Sequence, residues 1–502
     1  MEPTRPLYSR LLEWVSPAIY LSSNFISLVG VFLTTIGTVS WFFLLPVWLR
    51  GTSHNPYLGL IWIVLLGIFI FGLILIPLGM FLRRRGLQKS GATQAQSFPP
   101  LTLESPQLRR LLIFILVTTF VNVVVAGQLT YTAINYMDGA SFCGEVCHTP
   151  MQPEFTTYQG SPHSRVECVE CHIGPGASWF VKSKLSGLGQ VIAVATHSYP
   201  TPIESPVTNL RPARETCEHC HWPQRFTGDK IVVHTSYAED EQNTAASTVL
   251  MMKVGGRAWN GTVGIHGVHL ADNTRMEYVA TDTKRQVIPQ VTYWDASGKQ
   301  TIYNATDSKV KPEDLARGEH RTMDCVDCHN RPTHVFQLPE RAFDDVMATG
   351  HISPSLPFVK KQALAVLKAA YPNREAAHIQ IGATFDAFYK TSHPQIYAQR
   401  HQEIETAIAA VQGIYARNIF PDMKVTWGTY TNNLGHTDSP GCFRCHDGSH
   451  TSADGRTIPN DCGTCHDLQA VGEKNPKVLT NLGIIPGQAP DIDPPAPAPP
   501  VH

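Results

Sequence analysis

Six cysteine pairs, each followed directly by a histidine, carry the chemistry of this sequence. Cys-x-x-Cys-His occurs five times: Cys168, Cys171 and His172; Cys217, Cys220 and His221; Cys325, Cys328 and His329; Cys442, Cys445 and His446; Cys462, Cys465 and His466. A sixth copy, Cys143, Cys147 and His148, comes first in the chain and holds one extra residue between its thiols. Together the motifs use all twelve cysteines. This spacing attaches haem c: two thiols bond to one haem edge and the adjacent imidazole binds the iron from one face. A lone Cys-x-x-Cys is more often a redox dithiol or half a zinc site. Six pairs each followed by His are not a zinc pattern, and a disulfide framework would leave the histidines unexplained. The sequence therefore predicts six covalent haem c groups, with the six motif histidines as iron ligands.

An electron-transfer haem needs a second strong axial ligand, whereas a catalytic haem leaves that position open. Six residues near the motifs are candidates: Met151, His163, His266, His334, His436 and His450. Met151 reads equally well as a packed thioether. His197, His234 and His269 are held in reserve, while His351, His378, His393 and His401 read as surface or packing residues. If most irons carry two ligands the protein is a wire; one open iron would make it a reductase.

These groups must be placed by the rest of the 502 residues. The formal net charge of −1 gives no sign of a nucleic-acid partner. Three apolar runs, at about 26–48, 58–82 and 111–136, are each long enough to cross a hydrocarbon layer of about 30 Å as a helix. The first is too long and begins too late for a cleaved signal peptide. Arg50 stands nearly alone between the first two runs, whereas Arg83, Arg84, Arg85, Lys89, Arg109 and Arg110 lie between the second and third. That second link should face the cytoplasm, with the N-terminus on the same side and everything beyond about residue 138 outside. Covalent haem attachment, which takes place outside the bacterial cytoplasm, points to the same side. The expectation is a multi-pass protein of the bacterial inner membrane with a periplasmic haem domain.

The fold class expected is a membrane-anchored multihaem cytochrome c: three N-terminal transmembrane helices, then a mainly helical and irregular haem domain with a small β-rich insert. Its parts are an anchor (1–137), a region with the first three motifs (138–222), the β-rich insert (223–321), a region with the last three motifs (322–486) containing a helical segment (339–423), and a Pro/Ala-rich tail (487–502) read as disordered. The stretch 89–106 reads as a loop. In the insert, apolar alternation and the turn Asp295–Gly298 predict a hairpin, and "GIHGVHL" holds His266 and His269. The helical segment is expected to pack around the last three haems. Only a few residues separate the third apolar run from the first motif, which places the first haem at the membrane surface. A short amphipathic helix over 182–190 carries Lys182 and Lys184, read either as quinol-site residues of the first haem or as headgroup contacts.

The anchor, the motif at the membrane exit, and the stretches "SPHSRVECVECH", "LRPARETCEHCHWP", "MDCVDCHNRPTH" and "GCFRCHDGSH" resemble the NapC/NirT family of membrane-anchored multihaem quinol dehydrogenases, most closely its larger inner-membrane members. The resemblance covers about residues 136–467. It implies menaquinol oxidation at the first haem and delivery of electrons to periplasmic cytochromes or reductases, in anaerobic or extracellular respiration. Smaller members have one anchor helix and four haems. Some relatives place a carboxylate about seven residues after the quinol-site lysine; here Gly189, Gln190 and Val191 stand there. Two other functions compete: a conduit subunit that takes electrons from a membrane partner, and a reductase with one open haem acting on a nitrogen or sulfur oxyanion.

Overall fold

The computed structural model describes residues 20–49, 57–89, 106–174, 176–207, 210–222, 228–256, 264–271 and 274–484. It divides into two compact units, Met1–Phe142 and Cys143–His502. The loop expected after Lys89 and the tail at 487–502 fall outside the described residues.

The long helices among the described residues of the first unit are α1 (Phe25–Leu49), α2 (Tyr57–Lys89) and α3 (Pro106–Asp138). Each extends beyond its apolar run, and α2 continues through Arg83, Arg84 and Arg85. Among the described residues two stretches are long and apolar enough to cross a membrane: Val64–Lys89 and Arg109–Asp138, with mean hydropathies of 2.7 and 2.2. The described apolar part of α1, Phe25–Ser40, is shorter. Helices in lipid associate through close backbone packing and polar contacts, and α1 and α2 show both. A Cβ at Gly30 would stand 2.8 Å from the Gly72 carbonyl oxygen, and one at Gly79 would stand 2.7 Å from the Ser27 nitrogen. Ser27 Oγ donates to the Ile76 carbonyl (2.9 Å), and Asn122 of α3 reaches Thr35 of α1 (3.3 Å). Replacing Gly72 by Leu should therefore force α1 and α2 apart and cost about 1–3 kcal/mol, read as a lowered melting temperature in detergent. Gly67→Leu is the control, since a Cβ there meets nothing within 4 Å.

The second unit begins with α4 (His148–Gln159), which starts at the first motif histidine, and continues through α5 (Ala177–Ala195) and the short α6 (Ile265–Leu270). Among the described residues eight strands form two antiparallel sheets. β1 (Lys230–Tyr237), β2 (Ala245–Met252) and β8 (His466–Glu473) make one, in that order. The other runs β6-β3-β4-β5-β7, from β3 (Arg275–Ala280), β4 (Gln290–Trp294), β5 (Gln300–Ala305), β6 (Glu319–Thr322) and β7 (His450–Ser452). Asp295 closes the β4–β5 turn, its carboxylate accepting from Ser297 and Lys299 backbone nitrogens. The β-rich region is thus not a self-contained insert. β7 and β8 come from the chain around the last two motifs and complete its sheets, so strand pairing ties residues 230–322 to the fifth and sixth motifs.

Helices α7 (Pro339–Ala348), α8 (Val359–Leu367), α9 (Arg374–Ser392) and α10 (His401–Asn418) enclose a core of their own. Phe343, Leu356, Leu367, Ile381, Phe385, Tyr389, Ile404 and Val411 are fully buried in it. The apolar faces of this segment are spent largely on one another. Lys360 Nζ and Asp344 form a buried ion pair there (2.7 Å), and Asn243 reaches in to bond Leu356 O and Lys360 N. From α10, Arg417 donates to the Gly160 carbonyl just beyond α4 (2.6 Å).

Candidate haem-binding sites

The cysteine motifs follow one another in space in the order of the sequence. Cys168 of the second motif hydrogen-bonds Cys143 of the first, which lowers its thiol pKa. Cys171 neighbours Cys217 of the third motif, and burial is the main cause that raises its pKa. Cys217 in turn hydrogen-bonds Cys325 of the fourth, which draws the Cys217 thiol down. Burial lifts Cys328 to about 11 and Cys445 to about 12; across the fourth and fifth motifs Cys328 also feels Cys442, and Cys445 feels Cys328. Cys442 then neighbours Cys465 of the sixth. No disulfide joins any of the twelve cysteines, so none competes with haem attachment.

Short helices and side-chain anchors set these positions. Cys325–Cys328 is one helical turn capped by Asp324, whose carboxylate accepts from Cys325 N while Asp327 returns the bond to Asp324 N. The buried Asp327 carboxylate accepts from Tyr278 Oη of β3 (2.6 Å) and Arg321 Nε of β6 (3.1 Å). The five-stranded sheet therefore holds the fourth motif. Arg444, inside the fifth motif, donates to Asp327 O (2.6 Å) and Arg285 O (2.9 Å), fastening the fifth motif to the fourth.

Each of the last five motif histidines faces a second imidazole. Ring centres lie 6.4 Å apart for His172 and His334, 6.0 Å for His221 and His163, 6.3 Å for His329 and His266, 5.9 Å for His446 and His269, and 6.2 Å for His466 and His436. A metal held between two imidazoles, with bonds of about 2 Å and ring half-widths of about 1.2 Å, sets ring centres about 6.3 Å apart. Two directly hydrogen-bonded imidazoles would sit closer, at about 5.2 Å. The spacing fits a shared iron and leaves a gap too wide for direct contact.

The ring nitrogens are arranged for the same purpose. Nδ1 of His266, His269, His334 and His446 lies 2.6–2.9 Å from a backbone carbonyl, on Val254, Ile265, Glu154 and Pro459 respectively. Such bonds fix the tautomer and leave Nε2 for a metal. Burial lowers the pKa of His266, His269 and His334, favouring the neutral imidazole that can donate its lone pair. His163 Nδ1 and His466 Nδ1 are buried without a protein partner. Among the described residues no group of three or more His, Cys, Asp or Glu side chains converges as a metal cage. The donor set suits a group that brings its own equatorial ligands, as haem does.

The structure pairs four of the sequence candidates with motif histidines: His163, His266, His334 and His436. His450 is a correction. It is 1% exposed, its Nδ1 faces Asp447 Oδ1 at 2.9 Å and its Nε2 faces Ile288 O at 2.8 Å, so neither nitrogen is left for iron. His269, one of the reserves, faces His446 instead; one turn of α6 thus presents both His266 and His269. His234 accepts from Arg341 Nη2 (2.7 Å), which removes it from the reserves. Met151 sits one turn after His148 on α4, its N–H bonded to Cys147 O.

Lys182 and Lys184 lie on α5, a helix longer than the 182–190 expected. Two residues apart on a helix, they point to different sides. They border a stripe of exposed Val181, Leu185, Leu188 and Ile192, and Lys182 Nζ rests 4.5 Å from the Trp179 ring centre.

Residues 105–205 match the model of the NapC/NirT cytochrome c family, N-terminal region. The chain is 40% identical over 457 residues to cytochrome c-type protein ImcH of Geobacter sulfurreducens (strain ATCC 51573 / DSM 12127 / PCA), an alignment spanning 91% of this chain and 89% of that protein. No solved structure matches the chain significantly. Motifs, paired imidazoles and alignment lead to one conclusion: the chain belongs to the NapC/NirT cytochrome c family and is a membrane-anchored, multihaem c-type cytochrome of electron transfer.

Proposed function

We propose that the protein is a hexahaem quinol dehydrogenase of the bacterial inner membrane, anchored by α1, α2 and α3, with its haem domain in the periplasm. The observation that carries this reading is the unbroken succession of six cysteine motifs, five of them with paired imidazoles at iron-spanning distance. The thiols of Cys143, Cys147, Cys168, Cys171, Cys217, Cys220, Cys325, Cys328, Cys442, Cys445, Cys462 and Cys465 would hold the six groups. His172 with His334, His221 with His163, His329 with His266, His446 with His269 and His466 with His436 would ligate the last five irons. At the first motif, His148 would hold the iron, with Met151 as the candidate second ligand. Haem c, when bound, supplies reversible one-electron exchange with no proton uptake at the iron. With two imidazoles available to each of five haems, the residues would favour conduction over substrate reduction.

Quinol oxidation to quinone releases two protons and two electrons. The electrons leave one at a time towards the haem chain, and the protons leave towards the periplasm. The motif that follows α3 in sequence is the natural entry point. The apolar stripe of α5 supports a position on the bilayer surface with its lysines turned to the headgroups. Only one of Lys182 and Lys184 can assist the quinol. Single alanine variants should therefore differ, one slowing quinol-driven haem reduction at least several-fold and the other leaving it unchanged; equal rates for both variants and the parent would remove the lysines from the site.

The function is tested by adding a reduced menaquinol analogue anaerobically to the oxidised protein in detergent and following the reduced haem band. Rapid reduction blocked by a quinone-site inhibitor is expected. Reduction by dithionite alone would leave a conduit that needs a membrane partner to oxidise the quinol.

A further inference from the structure

Glu154 and Arg331 stand far apart in sequence and form a nearly buried ion pair beside His334. The Arg331 side chain is 7% exposed and that of Glu154 13%. Arg331 Nη2 donates to both carboxylate oxygens of Glu154, at 2.8 and 2.7 Å. Its Nε donates to the backbone carbonyl of His334 (2.6 Å) and its Nη1 to Ser205 Oγ (3.1 Å). The guanidinium lies over the Tyr430 ring at 4.0 Å, with Phe336 at 5.1 Å. Glu154 completes the arrangement from the other side: its backbone carbonyl accepts from His334 Nδ1 (2.9 Å), and its carboxylate oxygen lies 3.4 Å from the same nitrogen. His334 is thus gripped at two points, imidazole and main chain, by one pair of residues. Glu154 belongs to α4, the helix that starts at the first motif histidine, while Arg331 lies two residues beyond the fourth.

We propose that Glu154 and Arg331 are positioning residues for the second haem. The pair locks the plane and the Nε2 direction of His334 against His172, and its two opposite charges balance the electrostatic field at that iron. This rests on the reading that His172 and His334 ligate the second haem. A stacked guanidinium whose three nitrogens are all hydrogen-bonded is a rigid brace, and a hydrogen-bonded outer shell sets both the orientation and the donor strength of a ligand imidazole. The carboxylate by itself would stabilise the ferric iron through the imidazole, and the guanidinium by itself would oppose it. Together they leave the site near electrostatic balance. Removing one charge at a time should therefore move the reduction potential in opposite directions, whereas simple loosening of the pocket would move it the same way for both.

The test is a potentiometric titration of the purified full chain, followed by optical and electron paramagnetic resonance spectra. His334→Met marks the second haem by changing one low-spin signal and its midpoint. Glu154→Gln should raise that midpoint and Arg331→Gln should lower it, with the other haem signals unmoved. Arg331→Lys should return the midpoint towards the parent value yet shift the low-spin resonance, because the charge is kept and the fork to His334 is lost. Shifts of the same sign, or no shift, would overturn the proposal. If Arg331→Gln does not accumulate with its full haem content, Glu154→Gln decides alone: an unchanged or lowered midpoint overturns it. If His334→Met changes no haem signal, the ligand assignment itself falls, and that outcome is separate from failure of the clamp.

Discussion

Replacing His269 by alanine should turn one low-spin haem into a high-spin one, while His450→Ala leaves all haems low-spin. His269 is far upstream of the fifth motif, yet its ring centre lies 5.9 Å from that of His446, and its Nδ1 is committed to Ile265 O at 2.7 Å. Deleting the imidazole opens one axial position and leaves a gap that only water or a small ligand can fill. The change should appear as a high-spin resonance and a charge-transfer band, with carbon monoxide binding to the ferrous form. His450 stands within a few residues of His446, but its nitrogens serve Asp447 and Ile288. His450→Ala takes one partner from the Asp447 carboxylate, which keeps Ser449, and removes the imidazole from the Ile288 carbonyl. It should cost stability, about 1–3 kcal/mol for the buried group left unsatisfied, with no new high-spin signal. Carbon monoxide binding in the His450 variant and not in the His269 variant would reverse the assignment.

The second large effect concerns continuity. The fifth motif lies between the fourth and the sixth, with Cys445 beside Cys328 and Cys442 beside Cys465. A Cys442→Ala, Cys445→Ala double variant should lose the fifth haem and cut the line at that point. Quinol should then reduce the haems before the gap at the parent rate and leave the sixth oxidised on the same timescale, although dithionite reduces it. The comparison of quinol-reducible with dithionite-reducible haem measures this directly. Full and rapid reduction by quinol would mean that electrons reach the sixth haem by another route. Arg444→Met is a milder form of the same test. It keeps every haem attached but removes the bonds to Asp327 O and Arg285 O that fix the spacing of the fourth and fifth motifs.

The covalent sites are readable from sequence because their spacing is local: thiols and imidazole lie within five or six residues. The second ligands are not local, and proximity in sequence misled at His450. His334, a similar distance after its own motif, faces His172 of the second motif, not His329. Pairings of this kind depend on how distant segments fold together, which no spacing rule encodes. The two-residue gap between His266 and His269 did hold a signal, since a single helical turn there presents both rings. Helix α9 was also readable: Asn373 caps it by accepting from Ala376 N (2.8 Å), directly after Pro372. β8 was not, because it gains its conformation by pairing with β2, more than two hundred residues upstream. The Glu154–Arg331 pair belongs to the same class. Lys182 and Lys184 show the reverse case, where helix periodicity alone separates two residues that sequence proximity had grouped.

The most direct test of a continuous six-haem line is the haem count and spin state of the intact oxidised chain, from its mass and its electron paramagnetic resonance spectrum. Six covalent haems, with the five at paired imidazoles all low-spin, are expected. A mass short of six haems, or a high-spin signal from any of those five in the parent protein, would contradict the account.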